Sequence, residues 1–172
     1  MDKYTLAGPG AIFNIPCTIT KPGDYYFDRD LTWSGDIWPA IGVSATAADT
    51  GPVIIDLNGH TLSGGNSYVY ASGGISVSTN NNPVTVKNGT ITRYSGLIGT
   101  SSSTGLIIFS NLNLVTAHLP PGYYGSGYGM TINNSNVIVT NCVFSDADVG
   151  ISIRNPGSLK ENTVSNLKWY YI

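Results

Sequence analysis

Apolar and polar positions alternate in short runs along this chain, and the stretch VIIDLNGHTLSGG, from Val53 to Gly65, shows the pattern most clearly. Its first half alternates as a half-buried β-strand does. The alternation then passes through Asn58-Gly59, a pair typical of hairpin turns, and resumes at Thr61-Leu62. The stretch therefore predicts either a hairpin or a corner in a chain that keeps winding in one direction.

Repeats of this stretch decide between the two interpretations, because a solenoid shows itself as a recurring unit. The segment IDLNGHTL aligns without gaps with VTVKNGTI, IIFSNLNL, VIVTNCVF and the weaker GSLKENTV, and the starts lie 29, 23, 30 and 20 residues apart. The first, third and eighth positions are apolar, apart from Gly157. We expect the third position to form one inner column that contains Val86, Phe109 and Val139.

A second short strand, opened by a small residue, precedes most copies: AIGVS, GGISV, GMTI and GISI. One unit is thus a strand, a bend, a second strand and a third short strand. Each unit is too small to bury its own apolar face, so successive units stack and pair their strands in parallel. Asn58-Gly59 is then a corner rather than a hairpin. The fifth repeat position is Asn in three copies, and we expect an interior ladder of these side chains: Asn88, Asn111 and Asn141.

The segments ITKPGDYYFDRDLT, VIIDLNGHTLSG and VTVKNGTI resemble the opening units of the right-handed parallel β-helix superfamily, which includes pectate lyases, polygalacturonases and viral tailspike or fibre domains. The resemblance covers roughly residues 19–164. It implies an all-β fold, a single-stranded right-handed parallel β-helix of about five to six coils. We divide this one domain into an N-terminal cap segment (1–18), the parallel β-helix (19–166) and a C-terminal aromatic segment (167–172). The resemblance indicates fold and leaves function open.

The composition fits a turn-rich β protein with few charges. Charged residues are 10% of the chain, against about 25% in soluble domains, and Ser, Thr and Asn together make up 51 of the 172 residues. The net charge of −2 and the scattered basic residues argue against a nucleic-acid partner. No apolar run is long enough for a membrane span, and no signal peptide is visible. Cys17 and Cys142 are interpreted as small buried hydrophobes.

Two insertions, SGGNSYVYASG and TAHLPPGYYGSGYG, lie between a third strand and the next first strand, so stacking should place them on one side. Tyrosine offers a flat apolar face and a polar tip, which suits sugar rings or another protein. The alternative is that the tyrosines only cover the flank of the stack. The candidate carbohydrate- or partner-binding residues are Tyr68, Tyr70, Tyr123, Tyr124, Tyr128 and His118.

The candidate catalytic residues are Asp146, Asp148 and Arg154 in FSDADVGISIRN. Polygalacturonases carry an Asp pair in a similar place, but their third Asp, their Gly-His-Gly and their basic pair do not occur here in order. Glycoside hydrolysis needs two carboxylates across one sugar. A solvated turn is therefore the alternative that we prefer, and we do not expect an enzyme.

The candidate metal ligands are Asp24, Asp28 and Asp30 in GDYYFDRD. Calcium takes at least about six oxygen ligands, and the sequence does not show whether these carboxylates converge. The alternative is a surface whose charge Arg29 partly balances. We expect no cofactor other than this Ca²⁺ candidate.

Three functions from different classes remain open. The first is a non-catalytic structural or attachment module in a virus particle or on an extracellular surface. The second is a polysaccharide lyase or glycoside hydrolase, for which about five coils make a short cleft, and the third is a carbohydrate-binding module without turnover. The expected partners are a polysaccharide, another structural protein or copies of the chain itself.

The C-terminal residues form an aromatic end rather than a polar cap: Trp169, Tyr170, Tyr171 and Ile172. Aromatic residues are enriched in the cores of interfaces, and tailspike-like relatives associate as trimers. We therefore expect a homotrimer with this segment and the tyrosine insertions at the contacts. The alternative is that the segment folds over its own last coil.

Overall fold

The computed structural model describes residues 4–6, 8–33, 35, 39–45, 50–64, 73–79, 81–94, 96–101, 105–116, 128–133, 136–146, 149–153, 158–160 and 163–164. Within these ranges the regular structure consists of β-strands, without a helix. Accordingly, the described residues contain no helix with the length and apolar character that a membrane crossing needs.

The strands form two parallel sheets. The first sheet has seven strands: β1 (Tyr4–Leu6), β3 (Cys17–Ile19), β6 (Ile41–Val43), β9 (Gly73–Val77), β11 (Gly96–Thr100), β13 (Tyr128–Ile132) and β16 (Val149–Ile153). The second sheet has eleven: β2 (Gly10–Ile12), β4 (Gly23–Phe27), β5 (Leu31–Thr32), β7 (Val53–Asp56), β8 (Thr61–Ser63), β10 (Val84–Thr92), β12 (Ile107–Val115), β14 (Val137–Thr140), β15 (Val143–Ser145), β17 (Ser158–Lys160) and β18 (Thr163–Val164).

The chain visits the two sheets in turn. Each visit to the first sheet is followed by one or two strands in the second sheet, and we call this sequence a pass. The strands of one pass pair in parallel with those of the next, as β7 and β8 both do with β10. This confirms an all-β chain with long parallel sheets, an arrangement compatible with a parallel β-helix.

The core lies between the sheets, where alternate residues of strands such as β7 and β12 point inward. Inner positions are occupied by aliphatic and aromatic side chains because each must pack against its equivalents in the neighbouring passes. One column runs through five passes in register and is at most 1% exposed: Tyr25, Ile55, Val86, Phe109 and Val139. The expected stacking of Val86, Phe109 and Val139 inside the molecule is thus confirmed.

The turn at Asn58-Gly59 has hairpin geometry without making a hairpin. Both residues have positive φ, 52° and 82°, and the His60 N–H donates to Leu57 O at 2.7 Å, as in a type I′ turn. The flanking strands nevertheless pair in parallel with β10 and not with each other. The turn therefore forms a corner of the second sheet.

The ungapped alignment is wrong in the first half of one repeat. It placed Ile55 opposite Val84, whereas the structure pairs Ile55 with Val86 and Val53 with Val84. The two registers agree again at Thr61, which pairs with Thr90. The cause is the type I′ turn, which makes this corner two residues longer than the one in β10.

The parallel sheets also extend beyond the repeats that the sequence revealed. Residues 1–18, expected as a cap segment, contribute β1 and β2, which pair in parallel with β3 and β4. The strand β11, which the repeat search missed, completes the pass that contains β12. Because β1 and β2 add one pass at the start, the first sheet has seven strands where five to six coils were expected.

Truncating an inner column should destabilise the fold far more than truncating an exposed aromatic residue. Phe109 is fully buried between Val86 and Val139, so Phe109→Ala should lower the free energy of unfolding by about 3–5 kcal/mol. Phe13 is 53% exposed, and Phe13→Ala should change it by no more than about 0.5 kcal/mol. Denaturant unfolding of both variants measures the difference; similar losses would contradict the buried column.

Candidate functional site

The corner of the second sheet carries a set of asparagines with left-handed backbone conformation. Their φ angles are 52°, 60°, 54° and 50° for Asn58, Asn88, Asn111 and Asn141, respectively. Among residues other than glycine, Asn and Asp adopt this conformation most readily. The left-handed residue bends the chain. In β10 and β12 the strand changes direction at this residue and stays paired within the second sheet.

Three of these asparagines form a hydrogen-bonded row that ends at a carboxylate. Asn141 Nδ2 donates to Asn111 Oδ1 at 2.7 Å, and Asn111 Nδ2 donates to Asn88 Oδ1 at 3.0 Å. Asn88 Nδ2 in turn donates to both carboxylate oxygens of Asp56 at 3.1 Å. We call Asp56, Asn88, Asn111 and Asn141 the corner row.

The corner row lies on the outside of the molecule. The expected ladder of these three asparagines is present, but its expected interior position was wrong, because Asn111 and Asn141 are exposed and Asn88 is half-buried. The amides bond to one another rather than to the backbone of the neighbouring pass. The reason is that the left-handed bend turns these side chains outward, away from the core.

Asp56 fixes the direction of the whole row. An ionised carboxylate accepts hydrogen bonds only, so Asn88 must point its Nδ2 toward Asp56. Its Oδ1 then faces Asn111, which must donate, and the same applies to Asn141. The orientation of three amides therefore follows from one charge.

The carboxylate of Asp56 has two further partners. Asn58 donates its backbone N–H to Oδ1 at 2.8 Å, and Lys87 Nζ lies 3.3 Å from Oδ2. Partial burial acts to raise the pKa of Asp56, but the hydrogen bonds from Asn58, Asn88 and Lys87 outweigh it and lower the pKa below its ordinary value. Asp56 is thus held in its ionised form.

The three candidate calcium ligands do not form a metal site. Asp28 binds the Arg29 guanidinium through both oxygens, at 2.9 and 3.1 Å, and this pairing lowers its pKa. Asp30 Oδ1 accepts the Thr61 N–H at 2.8 Å, and Asp24 is exposed on β4. Across the described ranges, no group of three His, Cys, Asp or Glu side chains could hold a metal ion.

Asp30 also contacts a histidine. His60 Nδ1 lies 3.4 Å from Asp30 Oδ1, and this contact is an ion pair only when the imidazole is protonated. Both side chains are solvent-accessible, and the same oxygen of Asp30 accepts the Thr61 N–H. Asp30 therefore links the corners of two successive passes.

Most of the remaining candidate residues lie outside the described residues: Tyr68, Tyr70, His118, Tyr123, Tyr124, Asp148, Arg154, Trp169, Tyr170, Tyr171 and Ile172. Two candidates are described. Tyr128 opens β13, is 38% exposed and pairs with Gly96. Asp146 is exposed with a φ of 55°, and its backbone carbonyl accepts the Thr116 hydroxyl.

Two cysteines and one tyrosine have buried ionisable side chains. Cys17 and Cys142 are buried thiols outside any disulfide of the described chain, as the sequence predicted. Burial raises the pKa of Cys17 to about 12, so this thiol is unreactive at neutral pH. Tyr94 is fully buried, and its hydroxyl has no hydrogen-bond partner in the described structure.

Sequence reasoning missed Asp56, Lys87 and Tyr94. Asp56 lies at a different repeat position from the asparagines, since it pairs with Lys87 and not with Asn88. Lys87 directly precedes the first asparagine of the row, a signal that was available. Tyr94 packs against Gly64 and Gly74, where a Cβ would lie 3.1 and 3.3 Å from its ring. These two glycines were the sequence signal for this packing.

Comparison of the chain with protein-family models, with curated proteins and with solved structures finds no match in any of the three. Function must therefore be argued from the geometry of the chain itself.

Loss of one asparagine of the corner row should destabilise the protein in two separable ways. Asn111→Ala removes hydrogen bonds to two neighbours, each contributing about 0.5–1.5 kcal/mol, and places Ala in a left-handed conformation that costs about 1–2 kcal/mol. Asn111→Gly removes the same hydrogen bonds without the conformational cost. Denaturant unfolding should rank the free energies of unfolding as wild type, then Asn111→Gly, then Asn111→Ala.

Asn113 provides the matched control, since it lies two residues further along β12 and is also exposed. Asn113→Ala should change the free energy of unfolding by no more than about 0.5 kcal/mol. If Asn113→Ala and Asn111→Ala gave the same loss, the corner row would not contribute to stability.

The lowered pKa of Asp56 makes part of the stability depend on pH. A carboxyl group whose pKa is lower in the folded state stabilises the fold fully above its unfolded pKa, about 3.9. This stabilisation is lost as pH falls through the folded value. The difference in denaturant midpoint between wild type and Asp56→Asn should therefore shrink from neutral to acid pH. A difference that stays constant with pH would contradict the assigned pKa.

Proposed function

We propose that the chain is a single-stranded, right-handed parallel β-helix that serves as a non-catalytic structural or attachment module, in a virus particle or on an extracellular surface. In-register parallel pairing of successive passes supports the solenoid. A crossover between parallel strands of one sheet is right-handed in about 98% of cases, which supports the handedness.

The observation that carries the functional proposal is the use of the corner carboxylates in structural contacts. Asp56 holds the corner row, Asp30 accepts a backbone N–H and Asp28 binds Arg29. A general acid or base must be able to exchange a proton with a substrate. Carboxylates that are occupied by hydrogen-bond donors are poorly suited to that role, and the lowered pKa values of Asp28 and Asp56 also oppose it.

A carbohydrate-binding module without turnover is the second candidate. The observation that favours it is Tyr128, whose exposed ring lies at the start of β13, near the end of the second tyrosine insertion. An exposed aromatic face on a rigid strand suits stacking against a sugar ring. A polysaccharide lyase or hydrolase, with Asp146 among its catalytic residues, is the third.

One set of measurements separates these functions. The protein is incubated with acidic and neutral polysaccharides, and unsaturated products, new reducing ends and bound polysaccharide are followed. We expect no products, since a structural module has no turnover. Binding that Tyr128→Ala abolishes without any product would favour the carbohydrate-binding module, and product formation that Asp146→Asn abolishes would establish the enzyme.

Light scattering on the same preparation tests the expected self-association. A structural module should have the mass of several chains, with the trimer as our proposal. A mass of one chain at micromolar concentration would contradict it.

A further inference from the structure

The chain contains two Asn-Gly steps, Asn58-Gly59 and Asn88-Gly89, and both lie at the same corner of the second sheet. In an Asn-Gly step, the backbone nitrogen of the glycine can approach the side-chain carbonyl carbon of the asparagine with little steric hindrance, since glycine has no side chain. The two steps therefore share an intrinsic reactivity. Their surroundings differ.

The side chain of Asn58 is weakly restrained, although its backbone N–H donates to Asp56 Oδ1 at 2.8 Å. It is exposed in the type I′ turn, and its Nδ2 donates a long hydrogen bond of 3.4 Å to Phe27 O. The main restraint on the step is the Gly59 N–H, which donates to Asn88 O at 2.8 Å. A two-residue exposed turn can open this bond without disturbing the inner columns.

Asn88 is restrained at both ends of its amide. Its Nδ2 donates to Asp56 and its Oδ1 accepts from Asn111. The following residue, Gly89, lies within β10, where a Cβ would come within 2.4 Å of Leu57 Cβ and 2.6 Å of His60 O. Neither the side chain nor the backbone of this step has room to rearrange.

We propose that Asn58 is a site of spontaneous deamidation in the folded protein and that the corner row protects Asn88 from the same reaction. The Gly59 nitrogen gives up its proton to hydroxide or water and attacks Asn58 Cγ, forming a C–N bond. The side-chain nitrogen then leaves as ammonia, and a five-membered succinimide remains. Water adds to one of the two ring carbonyls and opens the ring to aspartate or isoaspartate. The net reaction consumes one water and releases one ammonia.

The product changes the charge and the backbone of the corner. A carboxylate at position 58 lies next to Asp56, which already accepts the N–H of residue 58, so two negative charges become neighbours. Isoaspartate also adds one methylene group to the main chain between β7 and β8. Deamidated molecules should therefore unfold at lower denaturant concentration than intact ones.

The test is incubation of the folded protein at mildly alkaline pH, followed by peptide mapping with mass spectrometry and detection of isoaspartate. We expect Asn58 to deamidate roughly tenfold faster than Asn88, the factor that hydrogen bonds at both ends of one amide would supply. In denaturant the two sites should react at similar rates. Equal rates in the folded protein, or no reaction at Asn58 while the denatured chain reacts, would overturn the proposal.

Asn111→Ala tests the protective role of the corner row, since it removes the donor to Asn88 Oδ1. In this variant deamidation at Asn88 should speed up severalfold while that at Asn58 stays unchanged. Asn113→Ala is the control and should alter neither rate. Circular dichroism before incubation shows that both variants are folded. An unchanged rate at Asn88 in folded Asn111→Ala would show that the corner row does not protect it.

Discussion

The structure depends on the in-register stacking of each pass on the next. A single pass has inward apolar side chains but nothing to cover them from above and below, so its stability comes from its neighbours. Parallel pairing places each inner residue on its equivalent, as Val86 lies between Ile55 and Phe109. A shift of one residue would turn every inner side chain outward. Register is therefore the constraint that the corners must preserve.

The corners preserve it by two different solutions. In the β10 and β12 passes, a single left-handed asparagine bends the strand, and the sheet continues through it. In the preceding pass a type I′ turn makes the same change of direction with two more residues. Because the strands on both sides remain paired with β10, the longer turn is accommodated outside the sheet and the inner columns stay aligned.

The sequence predicted the parts of the fold that repeat with constant spacing. Val84, Ile107 and Val137 align correctly, because the strands that they open end at corners of equal length. It failed at Ile55, where the corner is longer, since an ungapped comparison cannot represent two extra residues. Recurrence of asparagine was visible in the sequence, but its outward direction was not, because the repeat pattern carries no information on φ.

The role of Asp56 was harder to foresee for a related reason. A residue that ends a row occurs once, and a search for repeats finds only what recurs. The candidate residues in the tyrosine insertions posed the opposite problem. Their composition suggested binding, but insertions vary in length and sequence from pass to pass, so no periodicity relates them to the sheets.

The single carboxylate at the start of the corner row has a consequence for how such a molecule can change in length. After Asp56, every member of the row offers an acceptor on one side and a donor on the other, so its members are interchangeable. A whole pass duplicated or deleted there would leave each donor facing an acceptor. The pass that contains Asp56 cannot be exchanged in this way, because its carboxylate only accepts. Passes that carry an asparagine of the row can therefore be duplicated without breaking its hydrogen bonds. The pass that carries Asp56 must stay at the end of the row.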